Sequence, residues 1–592
     1  MSYRAPIADY RLIMEAILPL DRLASTDHFA EATPETVQAV LSEAARLAEA
    51  VLAPLNPAGD ATPARLENGT LRSSPGFAEG FAALAAGGWV GLAADPEHGG
   101  MGLPQMVNQA VAEMFAGANL ALQLNPLLTQ GQIEALQHHA DPDMQALYLP
   151  RLISGEWSGT MNLTEPQAGS DVGALRAKAE PRGDGTYAVT GQKIFITWGE
   201  HDMTENIVHL VLARLPDAPE GVKGISLFVV PKFLVNADGS LGARNDVRCG
   251  SLEHKLGIHA SPTAVLNFGE KDGAIGYLVG EANRGLEYMF IMMNEARYAV
   301  GVQGIAIGER AYQQAAAYAH ERRQGRDLTD PRGPTAPIAR HPDVRRMLLT
   351  MRAITEANRA LSMTLAALLD HGHAGNRDAQ ALAEFLVPIH KGWATEAANE
   401  VTSLGVQVHG GMGFIEETGA AQHLRDARIT AIYEGTTAIQ ANDLVGRKTA
   451  RDGGAVARAL AGQIRTTLAA LAEADDPDLK AIHARLDAAL TDFELCATYV
   501  ATHFTHDIVA VHAGSVPYLT LSGLVCGGWQ MARAAQAARR RLDAAQGDAG
   551  FNTAKLKTAR FYADHLLTRV AGLREQVLAG ASAIAEFPEE RF

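Results

Sequence analysis

The sequence predicts an α+β fold in which helical segments flank a strand-built middle, and three observations carry that expectation. Residues 1 to about 160 hold alanine-rich runs such as Val37–Val51, punctuated by Gly and Pro without polar–apolar alternation, which reads as helix. From Asn162 to about Gly280 the pattern changes to short β-branched and aromatic runs bounded by turn residues. Helical periodicity then returns and persists to the end of the chain. With 592 residues the chain is long enough for several domains or layers. The expected boundaries are an N-terminal helical domain over 1–160, a strand domain over 161–282, a helical bundle over 283–450 and a C-terminal helical extension over 451–592.

Within the first helical segment, the loop Asp95–Gly102 follows Trp89–Leu92. The strand runs are Tyr187–Thr190, Ile194–Thr197, Ile207–Leu212 and Ile225–Val230, and the turn Gly183-Asp184-Gly185 precedes the first of them. Met289, Met292, Met293, Ala296, Ala299 and Val300 then share one helical face, which suits core filling because methionine packs irregular gaps. Beyond Gly453-Gly454, a plausible boundary, Val456, Leu460, Ile464, Leu468 and Leu471 recur at near-helical spacing. The extension is expected to pack on the rest of the chain.

Composition bounds the function. A hydrophobic fraction of 47% and a charged fraction of 20% fit an ordinary globular protein. The net charge of −16 gives the whole molecule no general attraction to nucleic acid. Three cysteines, Cys249, Cys496 and Cys526, are too few and too far apart for a disulfide framework or a metal site, and read as inert buried thiols. Charged residues interrupt the N-terminus, no apolar run reaches membrane-span length, and a reducing cytoplasm is the expected location. His259 and His409 lack a partner at ligand spacing in the sequence, so no metal is expected.

The most telling stretch is Ile432–Gln440. It places one carboxylate, Glu434, in an apolar and aromatic setting, followed by Gly435 and two hydroxyls. A desolvated carboxylate is a stronger base than a solvated one, and a glycine lets a ligand approach backbone amides. Such a site suits proton abstraction beside a polarised carbonyl. Taken alone, the same residues also describe a surface glutamate before a turn. Upstream stand Asn162–Asp171, Gly191–Thr197, Lys255–Ser261 and Val406–Phe414. Their residues, order and spacing resemble the acyl-CoA dehydrogenase family from about residue 85 to 448. The opening Tyr3–Pro6 and the extra C-terminal stretch are similar to the branch containing 3-(methylthio)propanoyl-CoA dehydrogenases.

That resemblance implies an acyl-CoA dehydrogenase-like fold with a β-barrel-like middle domain, and FAD as cofactor between the strand domain and the later helices. Met161, Leu163, Thr164 and Ser170 match the first flavin segment and Phe195, Ile196 and Thr197 the second, with Thr197 near flavin N5. Met161 stands where an aromatic is usual, and Phe195 where tryptophan is commoner. Gln407, Val408, Gly410 and Gly411 match the segment that meets the dinucleotide, and Thr436 and Ala438 are further cofactor contacts. Gly410–Gly413 lacks the glycine spacing and preceding strand of a nicotinamide fingerprint. Arg322 and Gln324 match a pair that reaches the FAD pyrophosphate of a neighbouring subunit, although Gly325-Arg326 departs from the usual Phe-Gly. Ser170, Asn294, Arg297, Tyr433 and Gly435 match substrate-binding positions. For Arg297 an ion pair inside the bundle is an equal reading. Glu434 is the implied catalytic base, removing an α-proton from an acyl-CoA thioester while hydride leaves the β-carbon.

The implied partners are an acyl-CoA substrate, an electron-transfer flavoprotein and further copies of the chain in a homodimer or larger homo-oligomer. The expected substrate is 3-(methylthio)propanoyl-CoA, with general short- or medium-chain fatty acyl-CoA oxidation as the alternative. A rival of another class, the alkylation-response DNA-associated flavoproteins, draws support from residues 533–560, where seven basic side chains stand against two acidic ones. An oxidase passing electrons to oxygen is a further alternative.

Overall fold

Side-chain shape sorts the chain into sheet and helix much as the patterning suggests. The structure is a computed structural model that describes residues 3–67 and 70–592. It divides into two units, one of residues 46–103 and 118–296, the other of residues 1–45, 104–117 and 297–592.

The first unit holds the sheet. Strands β1 (Arg65–Glu67) and β2 (Thr70–Arg72) form a small antiparallel hairpin within the stretch read as helical throughout. Arms of three residues are too short to register as alternation over the windows that reveal periodicity. The main sheet is built from β3 (Trp157–Asn162), β4 (Lys178–Pro181), β5 (Tyr187–Thr197), β6 (Asn206–Ala213) and β7 (Ser226–Pro231). A separate ribbon, β8 (Phe233–Val235) with β9 (Leu241–Arg244), precedes its last members, β10 (Val247–Leu252), β11 (Thr263–Phe268) and β12 (Ala274–Leu278). The order is β10-β11-β5-β12-β7-β6-β3, with β4 beside β5. Every pair is antiparallel except β3 with β6.

The two runs expected at Tyr187–Thr190 and Ile194–Thr197 are one continuous strand. Gly191 makes this possible: at φ 142° it lets the Ala177 backbone come so near that a Cβ would sit 3.0 Å from the Ala177 Cα. The first half of β5 pairs with β4 and β12, and the second half with β11. Val189, Ile196, Leu266 and Phe268 share a core with Val211, Phe228 and Val230, so the sheet curls over a common interior. The rings of His209 on β6 and Phe268 on β11 lie 5.9 Å apart, edge to face.

The second unit is helical, apart from a ribbon of β13 (Arg323–Arg326) and β14 (Thr335–Pro337). Its long helices are Gly285–Glu321 (from residue 297), Pro342–His373, Arg377–His409, Ala455–Ala472, Pro477–His503, Ser515–Asp543 and Ala549–His565. The extension packs on the bundle through small residues. Gly523 and Gly527 seat the ring of Trp393, and Gly392 lies under Leu519, positions where any Cβ would collide. Met289 and Met292, on the part of the helix Gly285–Glu321 that belongs to the first unit, are fully buried, as core filling requires.

A buried ionic cluster fastens distant segments of this unit. Arg359 binds Asp9 at 2.8 Å, Glu113 at 2.7 Å and Glu309 at 2.7 Å, while Lys555 pairs with Asp9 and with Glu356. Lys555 and Arg359 hold the Asp9 carboxyl below its ordinary pKa despite burial, whereas burial raises that of Glu113 against the pull of Arg359. The basic stretch 533–560 is largely consumed in such contacts. Arg539 pairs with Asp543 and Asp476, Arg541 with Glu15, and Lys557 and Arg560 with Asp478. Arg533 donates to the Ile17 carbonyl. These pairings remove most of the free positive charge on which the nucleic-acid alternative rests.

Among the described residues no helix is long and apolar enough to cross a membrane, and no cluster of His, Cys, Asp or Glu is arranged to hold a metal. His259 does have a carboxylate partner in space, Asp60 at 2.9 Å, and His409 stacks on Tyr318. Of the three free cysteines Cys249 is only half-buried, a correction to the expectation of three buried thiols. Burial raises the thiol pKa values to about 11 for Cys249 and about 12 for Cys496 and Cys526.

Candidate active site

Glu434 lies in a short irregular turn between the helical turn Arg428–Ala431 and the helix Thr437–Asp443, which Thr436 caps by accepting from the Ile439 N–H at 3.4 Å. Glu434 and Gly435 are consecutive left-handed residues, with φ of 54° and 87°. That conformation costs a non-glycine residue about 1–2 kcal/mol and must be held by its surroundings. The Gln440 side-chain amide donates to the Glu434 carbonyl at 3.2 Å and to the Gly435 carbonyl at 3.3 Å. The Lys391 ammonium donates to the Gly435 carbonyl at 2.7 Å. Among the described residues the backbone N–H groups of Glu434 and Gly435 have no acceptor, so both remain free to meet a carbonyl oxygen.

The electrostatics match a base. Glu434 keeps part of its surface open, yet burial of its carboxyl raises the pKa, opposed by Arg297 and then Lys391. Arg297 is buried and stands 3.8 Å from Asp443, which also pairs with Arg447 at 2.6 Å. Its Nε has no partner, so the guanidinium both makes the bundle ion pair and keeps a donor in reserve. The half-buried Tyr433 directs its hydroxyl to the Gln303 side chain.

In the sheet unit the two segments expected to meet a flavin ring adjoin each other. The Ile194 N–H donates to the Thr164 carbonyl at 2.9 Å, and the buried Lys193 ammonium donates to the Leu163 carbonyl at 3.1 Å and the Glu165 carboxylate at 2.8 Å. Phe195 is left-handed at φ 60° and 58% exposed, so its ring is presented outward. Thr164 and Thr197 are half-buried, and neither hydroxyl has a hydrogen-bond partner among the described residues. Leu163 and Ile196 are buried, with Ile196 in the sheet core, which leaves its backbone as the group able to meet a ligand. Met161 is half-buried on β3 opposite Leu210, and Ser170 and Asn294 are exposed.

In the helical unit Gln407 is exposed and Val408 buried at the end of the helix Arg377–His409. Gly410, at φ 59°, and Gly411 follow, both exposed, with open space where a Cβ would stand. The segment follows a helix, in keeping with the absence of a nicotinamide fingerprint. Arg322 and Gln324 are exposed, and Ala438 is exposed beside the capping Thr436. These features fit FAD chemically. An outward aromatic face and two free hydroxyls suit a ring, and a bare glycine corner and a free guanidinium suit phosphates.

Two residues in these sites were overlooked in the sequence, Lys391 and Gln440. Lys391 carried a signal, a lone cation within the apolar run Phe385–Trp393 of a long helix. Gln440 carried none beyond its place at the end of the motif.

The chain is also similar to known proteins along its length. Residues 34–156, 160–270 and 283–448 match the N-terminal, middle and C-terminal domains of the acyl-CoA dehydrogenases, and residues 460–588 match an acetyl-CoA dehydrogenase C-terminal-like domain. The chain is 50% identical to the 3-methylmercaptopropionyl-CoA dehydrogenase of Ruegeria pomeroyi, over 98% of both chains. It is 35% identical to a broad-specificity linear acyl-CoA dehydrogenase of Mycobacterium tuberculosis over 100% of both. An acyl-CoA dehydrogenase of Bacillus anthracis, solved with FAD, shares the fold with a TM-score of 0.73 at 21% identity, over 93% of this chain and 89% of that one.

Proposed function

The chain belongs to the acyl-CoA dehydrogenase family, and on that premise we propose that it oxidises 3-(methylthio)propanoyl-CoA to 3-(methylthio)acryloyl-CoA with Glu434 as the base. The observation that carries the role of Glu434 is its own turn: one carboxyl made more basic by burial, beside two free backbone N–H groups. FAD, the cofactor of this family, supplies the acceptor for the hydride that leaves the substrate β-carbon.

In this reading the Glu434 carboxylate takes the α-proton of the thioester. The Glu434 N–H donates to the thioester carbonyl oxygen, on which negative charge develops as the proton leaves. Tyr433 limits the acyl cavity, and Asn294, Ser170 and Gly435 contact the CoA thioester. Phe195, Thr164 and Thr197 face the flavin ring, with Met161, Leu163 and the Ile196 backbone beside them. Gln407, Val408, Gly410, Gly411, Thr436 and Ala438 hold the rest of the cofactor. Arg322 and Gln324 serve the pyrophosphate of a neighbouring copy in a homo-oligomer. Electrons then leave to an electron-transfer flavoprotein. Three thiols without a disulfide support a reducing compartment such as the cytoplasm.

The substrate is tested by presenting the holoenzyme with a mixed panel of acyl-CoA thioesters and weighing the products. A thioether sulfur is read mostly by volume, because it is a weak acceptor. Butanoyl- and pentanoyl-CoA should therefore react within about 200-fold of the thioether substrate in kcat/KM. Fastest turnover on a long-chain thioester, with none on the thioether, would overturn the substrate and leave the role of Glu434 standing.

A further inference from the structure

Lysine is an expensive residue to place where Lys391 stands. Its side chain is fully buried on the helix Arg377–His409, and among the described residues the one hydrogen bond of that side chain is to a neutral carbonyl, that of Gly435. No carboxylate pairs with it at salt-bridge distance among the described residues. A neutral donor would satisfy the same carbonyl at lower desolvation cost, so the charge itself requires a reason. That reason is one residue away, in the carboxylate of Glu434.

We propose that Lys391 is a positioning residue for the catalytic base: its ammonium fixes the left-handed Glu434–Gly435 turn and lends a positive charge that favours the carboxylate form of Glu434. The inference rests on the role given to Glu434 above. The turn's two carbonyls are held from two sides, by Gln440 on the helix that follows and by Lys391 on the helix beneath. Removal of the Lys391 bond frees a strained turn to relax, which would swing the carboxylate and its adjacent N–H together.

The charged surroundings are few. Arg297 from the helix Gly285–Glu321 faces Glu434 and is balanced in part by Asp443, which also binds Arg447. Glu396, one turn along from Lys391, accepts from the Thr437 hydroxyl and lends Lys391 some negative potential. Tyr433 lies near Asp426 and donates to Gln303. Burial lowers the Lys391 pKa to about 8, with Glu434 pulling the other way, so the side chain is cationic at neutral pH. Loss of that cation leaves burial less opposed at Glu434, whose pKa must rise. The acidic limb of kcat/KM, which reports the base in the free enzyme, moves to higher pH.

The test compares Lys391→Gln, which keeps a donor without the charge, and Lys391→Arg, which keeps the charge, as FAD-loaded full chains with butanoyl-CoA. Lys391→Gln should shift the acidic limb upward by about one pH unit, the scale of one nearby opposite charge, and recover rate at alkaline pH. Lys391→Arg should leave the limb within a few tenths of a unit of wild type. A limb unmoved in Lys391→Gln, or moved equally in Lys391→Arg, overturns the proposal. If Lys391→Gln yields no folded holoenzyme, Lys391→Met is read by the same limb, and an Arg variant that folds but loses the wild-type limb overturns the proposal by itself. Glu434→Gln run beside them separates the two ideas. Full activity there would mean that the base is misassigned, whatever Lys391 does.

Discussion

Glu434→Gln tests the chemistry with the least disturbance to the fold. Glutamine keeps the length and planarity of the side chain, adopts the left-handed backbone no worse than glutamate, and leaves the bonds from Gln440 and Lys391 to the turn's carbonyls in place. What disappears is the proton acceptor. Among the described residues the neighbouring carboxylates are already engaged: Glu396 accepts from Thr437, Asp426 accepts from the Gln422 side chain, and Asp443 is held between Arg297 and Arg447. A positioned general base contributes about 10²–10⁴ in rate, equivalent to roughly 2.7–5.4 kcal/mol of barrier. The first step should fall by at least that factor. The assay is anaerobic mixing of the flavin-loaded variant with butanoyl-CoA, following loss of the visible flavin absorbance in a single turnover. Flavin content, measured first, should equal that of the wild type. A variant that keeps its flavin and more than a tenth of the wild-type rate would refute the reasoning, and another base would have to be sought.

Arg322, exposed in the single chain, would be desolvated by its proposed reach to a neighbouring copy; Arg322→Ala should then weaken FAD retention on dilution and gel filtration by about 2–5 kcal/mol, and unchanged flavin content would count against that reach. Arg359→Met should destabilise the helical unit by about 3–5 kcal/mol in chemical denaturation, since three buried carboxylates lose their shared cation. Its pH dependence has a defined sign. In the wild type the depressed Asp9 contributes stability that is present above its unfolded pKa and fades as pH falls through its folded value. In the variant Glu113, already raised by burial, rises further and binds its proton more tightly when folded, so part of the lost stability should return as pH falls. A variant equally destabilised at every pH would show that packing, not charge, is what Arg359 supplies.

The alternation of Ile207–Leu212 and Ile225–Val230 with turn residues marked real strands because each run is a single segment of one pleated surface. β5 was legible only in halves, since Gly191 breaks the run of side chains although the backbone ladder passes through it. The hairpin at 65–72 was invisible for want of length. At the site, Glu434 could be singled out because a carboxylate before a glycine in an apolar stretch is a local signal. The reasons it sits where it does were not local. Lys391 precedes Gly435 by 44 residues, and Arg359 gathers partners 350, 246 and 50 residues away, contacts that no window along the chain reveals.

The seat that Gly523 and Gly527 provide for Trp393 makes the extension a matter of alignment as much as of mass. Trp393 is two positions from Lys391 on the same helix, and neighbouring Gly392 is pressed under Leu519. The appended segment therefore acts on that helix as a detent acts on a shaft, admitting one depth and one rotation. A methyl group added at position 523 would meet neither acyl-CoA nor flavin, yet it would have to displace the shaft on which the Gly435 carbonyl is hung. Selection for turnover should thus be felt at Gly523, 83 residues beyond Gln440, where the last motif that anyone would call enzymatic ends.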